Sequence, residues 1–225
     1  MVAQELFDRS PVRLFDNLTG GLKAGEIGLI TAKKGLGKTS VLVQFGVDAL
    51  LKDEQIVHVS FDQQSANVIT WYTDIFDEIA KKRNVSNISD IKQELVRKRI
   101  ILNFNQDTVS LNQIAATLRA LAEGGIKAQF MTVDGMDFTR VSAQDLQTFI
   151  EFARSCGMQV WFSENCESDK LADTLPADML CMFDCIMHLD PKPDQIQVRI
   201  LKLRDGKAPE AVLRLDSKTL LMTDK

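Results

Sequence analysis

The chain is poor in the residues that staple small proteins or carry redox and metal chemistry. Its four cysteines, Cys156, Cys166, Cys181 and Cys185, form no CxxC pair and have no histidine at zinc-ligand spacing. Reduced cysteines packed in the core are therefore expected. No stretch approaches the roughly 18 consecutive apolar residues of a membrane span. Residues 1–10 carry Glu5 and Asp8 and lack an apolar run, so no secretory signal is expected. Basic residues are outnumbered, 27 against 31 acidic, for a net charge of −4. That balance excludes a broad, non-specific grip on nucleic acid, although a local basic patch remains compatible with it. No repeat, low-complexity tract or Pro/Gly-rich linker divides the 225 residues. A single domain over 1–225 is expected, cytoplasmic and without a membrane partner. A chain of this length buries roughly 70% of its unfolded surface, enough for a core that needs no cross-links.

Short apolar runs alternate with longer amphipathic stretches. The runs predict strands at Ile27–Thr31, Ile56–Ser60, Ile100–Asn103, Phe130–Val133, Gln159–Phe162, Cys185–Leu189, Gln197–Lys202 and Ala211–Leu215. Helical patterns fall at Thr39–Leu51, Ala66–Lys82, Ile91–Arg97, Leu111–Ala122 and Ala143–Cys156. Within the second, Val68, Tyr72, Ile75, Phe76 and Ile79 recur at helical spacing. Strands alternating with helices imply crossover units and a parallel sheet. The last strands follow one another without helices, which predicts an antiparallel C-terminal edge.

Ala32-Lys33-Lys34-Gly35-Leu36-Gly37-Lys38-Thr39-Ser40 follows the first strand and opens a helix. That setting is what a Walker A phosphate loop requires. Glycines at 35 and 37 let backbone N–H groups converge on an anion, and the helix N-terminus adds partial positive charge there. Residues Lys34 to Ser40 are the candidate nucleotide cradle: Lys38 would reach the β- and γ-phosphates and the Thr39 hydroxyl would hold Mg2+. The pattern usually begins with glycine where Ala32 stands, and alanine is tolerable there if its φ stays negative. The competing reading is a glycine-rich turn with a chance lysine.

On these residues the chain resembles the RecA-superfamily ATPases, most closely the branch holding KaiC proteins and DnaB-type helicases. Phe15 to Glu26, with its Gly20-Gly21-Leu22 turn, is similar to that family's lead-in. Phe130-Met131-Thr132-Val133-Asp134 is similar to its second nucleotide motif, an apolar strand ending in a carboxylate. The resemblance, which runs from about Val12 to Leu221, implies a three-layer α/β/α P-loop NTPase fold of the RecA type, with ATP as ligand and Asp134 orienting magnesium. Lys202-Leu203-Arg204 is similar to the family's Lys-x-Arg motif, whose cations reach a neighbour's γ-phosphate. It therefore implies a homo-oligomer in which Lys202 and Arg204 act in trans, arginines of this kind contributing roughly 10³–10⁵ in rate. A solvated charge pair after a strand is the alternative.

The chain departs from the family where the catalytic glutamate is usual. Asp62 stands there, one methylene shorter, and Gln63 occupies the place of a second glutamate in KaiC proteins. Small misplacements of a catalytic group cost about a hundredfold, so slow hydrolysis with intact binding is expected. Glu164 stands where DnaB-type proteins carry a glutamine. An acid facing a γ-phosphate would repel it, so Glu164 is expected to point elsewhere or to pair with Lys33, Lys34 or a neighbour's Lys202. The stretches equivalent to the family's DNA-binding loops are acid-rich. Residues 134–143 hold only Arg140 as a cation, and 164–178 hold five acids against Lys170.

Lys81-Lys82-Arg83 and Arg97-Lys98-Arg99 end predicted helices and read as solvated helix ends. His58 and His188 lie inside apolar strands as core imidazoles. Trp71 falls off its helix's apolar face, as an interface anchor or as rim packing. Together these readings describe an ATP-binding, nucleotide-driven assembly or regulatory module of KaiC or RecA type with slow ATPase activity and an unidentified protein partner. The alternative is an accessory recombination, repair or replication factor that binds single-stranded DNA or a recombinase.

Overall fold

The computed structural model describes the chain except residues 1, 62, 83–88, 169, 205, 207, 211, 212 and 225, and except the side chains of 2, 3 and 82. Its strands are β1 Ile27–Ala32, β2 Ile56–Ser60, β3 Arg99–Asn103, β4 Phe130–Asp134, β5 Gln159–Asn165, β6 Cys185–Lys192, β7 Gln195–Leu203, β8 Leu213–Leu215 and β9 Met222–Thr223. They form one sheet in the order β3-β2-β4-β5-β1-β6-β7-β8-β9. β1 to β6 pair in parallel, and β6-β7, β7-β8 and β8-β9 are antiparallel. The mostly parallel sheet and its antiparallel C-terminal edge thus match expectation. β1, buried at every position, lies mid-sheet between β5 and β6.

The helices are α1 Val2–Asp8, α2 Val12–Thr19, α3 Lys38–Leu51, α4 Ser65–Lys82, α5 Ser89–Arg97, α6 Leu111–Glu123, α7 Ala143–Ser155 and α8 Ala177–Leu180. They cover both faces of the sheet. On one face α1 to α5 contribute Leu6, Phe15, Phe45, Tyr72 and Leu95 to a core closed by Trp161 and Met187. On the other, α6 to α8 bury Ile114, Phe149 and Leu180 against Leu29, Val133 and Phe162. Alternation along each strand divides the side chains between these cores, which is why the parallel strands read as continuous apolar runs. All five residues singled out in α4 by their spacing are buried.

Local chemistry sets the helix starts. Ser110 accepts from Gln113 N while the Gln113 side chain accepts from Ser110 N, a reciprocal cap on α6. Ser142 caps α7 through Asp145 N. α3 is buried along nearly its whole length. Its Gly46 is required because a Cβ there would fall on the Tyr72 hydroxyl, and Gly28 in β1 leaves the room that the Trp161 ring fills.

Several elements depart from the sequence reading. α1, α2, α8, β9 and two single-turn 3-10 helices, Phe138–Arg140 and Leu171–Asp173, were not anticipated. Of the expected strand Ala211–Leu215, residues 211 and 212 lie outside the described residues. No described helix is long and apolar enough to cross a membrane.

Candidate functional site

β1 ends at Ala32 and α3 starts at Lys38, so residues 33–37 turn at the carboxyl end of a central parallel strand. Ligands of open α/β sheets gather at such ends. Gly35 (φ 86°) and Gly37 (φ 94°) adopt left-handed conformations that side chains disfavour. A Cβ on Gly37 would only reach ordinary contact with Leu215 and Leu220, so it is the backbone conformation that calls for glycine there. Ala32 is not among the residues of positive φ, so alanine is unstrained where the pattern usually has glycine. Gly37 caps α3 without a side-chain hydrogen bond, leaving the helix end to its own dipole. Lys34 and Gly35 are exposed, Leu36 is partly buried and Ser40 is buried.

The Lys38 ammonium folds back over this turn, donating to Ala32 O and Lys33 O (both 3.2 Å) and to Asn165 Oδ1 (2.8 Å). Thr39 Oγ1 donates to Asp134 Oδ2 at 2.7 Å, and Ser163 Oγ donates to Asp134 Oδ1 at 2.7 Å. Gln63 Nε2 donates to Thr39 Oγ1 at 3.1 Å. Gln63 is fixed in turn by Ser60 Oγ, which accepts from its N–H at 3.1 Å, and by Asn103 Nδ2, which donates to its carbonyl. Asp134 is only 3% exposed. Both of its carboxylate oxygens accept from hydroxyls, those of Thr39 and Ser163, and among the described residues no ion pair to it is seen. A buried carboxylate is costly without positive charge nearby.

Four strand ends assemble this cluster: Ala32 of β1, Ser60 of β2, Asp134 of β4 and Asn165 of β5. Alternation along β5 also explains Glu164. Ser163 and Asn165 share the face that meets α3, which turns Glu164 to the other face. There Glu164 Oε2 accepts from Phe138 N at 3.4 Å. Burial pushes its carboxyl up to about 7 against the pull of the Phe138 and Asn165 N–H groups. It thus points away from the loop, and it is Glu167 that pairs with Lys33, at 3.0 Å.

The sequence places Gln63 beside the catalytic position and Ser163 and Asn165 around Glu164 without assigning their contacts, and a clip formed by the C-terminal segment was not anticipated. Ser40 Oγ and Gln44 Nε2 both donate to Leu220 O (3.1 and 2.9 Å), and Met222 N donates to Gln44 Oε1 at 2.8 Å. A glutamine amid the apolar residues of α3 was the available signal, since a fully buried amide needs partners.

Of the candidate catalytic residues, Asp62 lies outside the described residues. Lys202 Nζ donates to Leu180 O (2.9 Å) and Cys181 O (3.1 Å). Arg204 makes a bidentate pair with Glu26 (both 2.8 Å) and donates to Thr19 O (3.1 Å) and Gly21 O (2.7 Å). Glu26 precedes β1 whereas the glycine turn follows it, so Arg204 sits across the sheet from its own loop, roughly 20 Å away for six extended residues. It cannot serve the site of its own chain, and its contacts fasten the Gly20-Gly21 lead-in to the β7 end.

Elsewhere the outcome is mixed. His58 is fully buried and Nδ1 meets Tyr72 OH at 3.3 Å, while Nε2 has no partner among the described residues; burial lowers its pKa to about 3. His188 Nδ1 lies 2.9 Å from Thr31 Oγ1. Cys166 and Cys185 are buried as expected, but Cys156 and Cys181 are exposed. Arg99 is not a solvated helix end; it lies over the Tyr72 ring at 4.7 Å. Trp71 is partly buried against the core. Arg140, the cation of the 134–143 stretch, is paired with Asp107 and Asp137. No protein-family model matches the chain, and no curated protein sequence does either.

Proposed function

We propose that the chain is a RecA-like ATP-binding domain of the KaiC type that binds MgATP at the turn 32–40 and hydrolyses it slowly, as a nucleotide-driven assembly or regulatory module. The observation that carries this reading is the buried Asp134 carboxylate. It is joined to the Thr39 hydroxyl, stands at the foot of a glycine turn crossed by the Lys38 ammonium, and has no cationic partner among the described residues. Such a carboxylate fits a hard divalent cation. No three His, Cys, Asp or Glu side chains gather for a metal among the described residues. That suits magnesium, which protein commonly binds through one or two groups while phosphate and water complete its shell.

Thr39 and Asp134 would hold the ion, whose charge would neutralise the β- and γ-phosphate oxygens. Lys38 would exchange its carbonyl partners for phosphate, and the N-terminus of α3 would face the same anion. Asp62 would accept the proton of the attacking water, with the neutral Gln63 amide beside Thr39. Glu164, on the opposite face of β5, would not face the anion directly. Lys202 and Arg204 complete a neighbour's site in this reading, and Arg204 must then exchange its contacts with Glu26 on assembly.

Phosphate release from MgATP, measured on the unmodified chain and on Asp62→Ala, tests the chemistry. The proposal expects slow turnover that drops further in the variant. Equal rates in both would remove Asp62 as the base. Light scattering with and without MgATP tests assembly, because an unchanged mass would count against trans fingers.

A further inference from the structure

At the end of the sheet away from the glycine turn, a cleft of about 330 Å³ opens between the C-terminal parts of α6 and α7. Ala128 and Met158, just ahead of β4 and β5, lie beneath it. Its walls are mainly apolar, from Leu118, Phe152 and Met158, and the polar chemistry comes from Arg119 and Lys127 with the Cys156 thiol alongside. The Arg119 guanidinium lies over the Phe152 ring, 4.6 Å from its centroid, which fixes a cation at the wall. Among the described residues no carboxylate lines the cleft, and neither Arg119 nor Lys127 has an ion-pair partner.

The volume falls within the range of small-molecule sites, which are mostly apolar with a few polar groups that fix orientation. The charge selects the ligand. Two full positive charges stand against the C-terminal dipoles of α6 and α7, worth about half a negative charge each, so the cleft stays net positive. A cationic ligand would be repelled, and a strongly polar body would lose hydration against walls that are mainly apolar. We propose that this cleft binds a small carboxylic acid with an apolar body, its carboxylate between Arg119 and Lys127 and its body against Phe152, Leu118 and Met158. The proposal is independent of nucleotide binding, which concerns the opposite end of the sheet.

Octanoate is the probe, with octanol as its uncharged counterpart. Cys156 lines the cleft and is exposed, whereas Cys181 is an exposed thiol outside it. Iodoacetamide alkylation followed by peptide mass spectrometry reads both in one sample. Octanoate is expected to slow alkylation of Cys156 saturably and leave Cys181 unchanged, while octanol at equal concentration protects at least about tenfold more weakly, the loss of a charge-assisted contact. Arg119→Gln combined with Lys127→Gln should abolish the difference between the two probes. The proposal is overturned if octanoate leaves Cys156 unprotected, slows both thiols alike, or protects no better than octanol. Those comparisons need no substitution, so they hold even if the double variant folds poorly.

Discussion

Thr39 and Asp134, 95 residues apart in sequence, are joined by a hydrogen bond of 2.7 Å that ties the first turn of α3 to the end of β4. The bond turns a carboxylate without a basic partner toward the glycine turn. Asp134→Asn keeps the shape and removes the charge. The variant should fold, since one of the Thr39 and Ser163 hydroxyls can still donate to the amide oxygen while the other turns to accept from the amide N–H. Fluorescent-nucleotide titrations with magnesium and with EDTA should show the magnesium-dependent gain in affinity falling by about tenfold or more.

Arg204 has an in-chain role that unfolding measurements read directly. Its bidentate pair with Glu26 and its bonds to two carbonyls use the planar guanidinium fork. Urea unfolding of Arg204→Ala should show a loss of order 1–3 kcal/mol, because Glu26 and the carbonyls lose a donor. Arg204→Lys should recover little of it, a point charge being a poor substitute for the fork.

Glu164 sets one pH dependence. Burial raises its folded carboxyl to about 7 from 4.5. A carboxyl that holds its proton more tightly when folded favours the fold at low pH, and that advantage is lost as pH rises from 4.5 through 7. Melting temperatures of the unmodified chain and Glu164→Gln, compared at about pH 5 and about pH 8, should diverge, with the variant relatively more stable at the higher value.

His58 works in the opposite direction. Desolvation lowers its pKa from 6.5 to about 3, so the neutral ring suits the fold. Stability from this group is fully present above 6.5 and is lost as pH falls from there toward 3. Proton NMR should show the His58 ring failing to titrate between about pH 5 and about pH 8 while the chain stays folded. Titration near the usual histidine value would contradict its burial.

Much of the architecture was legible because burial leaves a period in the sequence. β1, β2 and β4, buried at every position, appear as apolar runs, and α4 shows its core face at helical spacing. α1 and α2 were not read because each spans two turns or so, too short for a period to accumulate, and β9 holds only two residues. The glycine turn, Lys38, Thr39 and Asp134 were readable as local patterns. The contacts of Ser163, Asn165 and Gln63 were not, since they depend on which strand ends the sheet order brings together. For Glu164 the face of β5 decided the outcome, and that parity depends on register. Arg204 was read from a three-residue motif that carries no information about Glu26, its partner 178 residues away.

The account rests on triphosphate recognition by the turn at 32–40. A titration of a fluorescent ATP analogue with magnesium, run on the unmodified chain and on Lys38→Ala with melting curves for both, tests it most directly. The account predicts saturable binding to the unmodified chain and a loss of about a hundredfold or more in a variant that remains folded. Equal affinity in the two proteins, or no saturable binding to the unmodified chain, would contradict it.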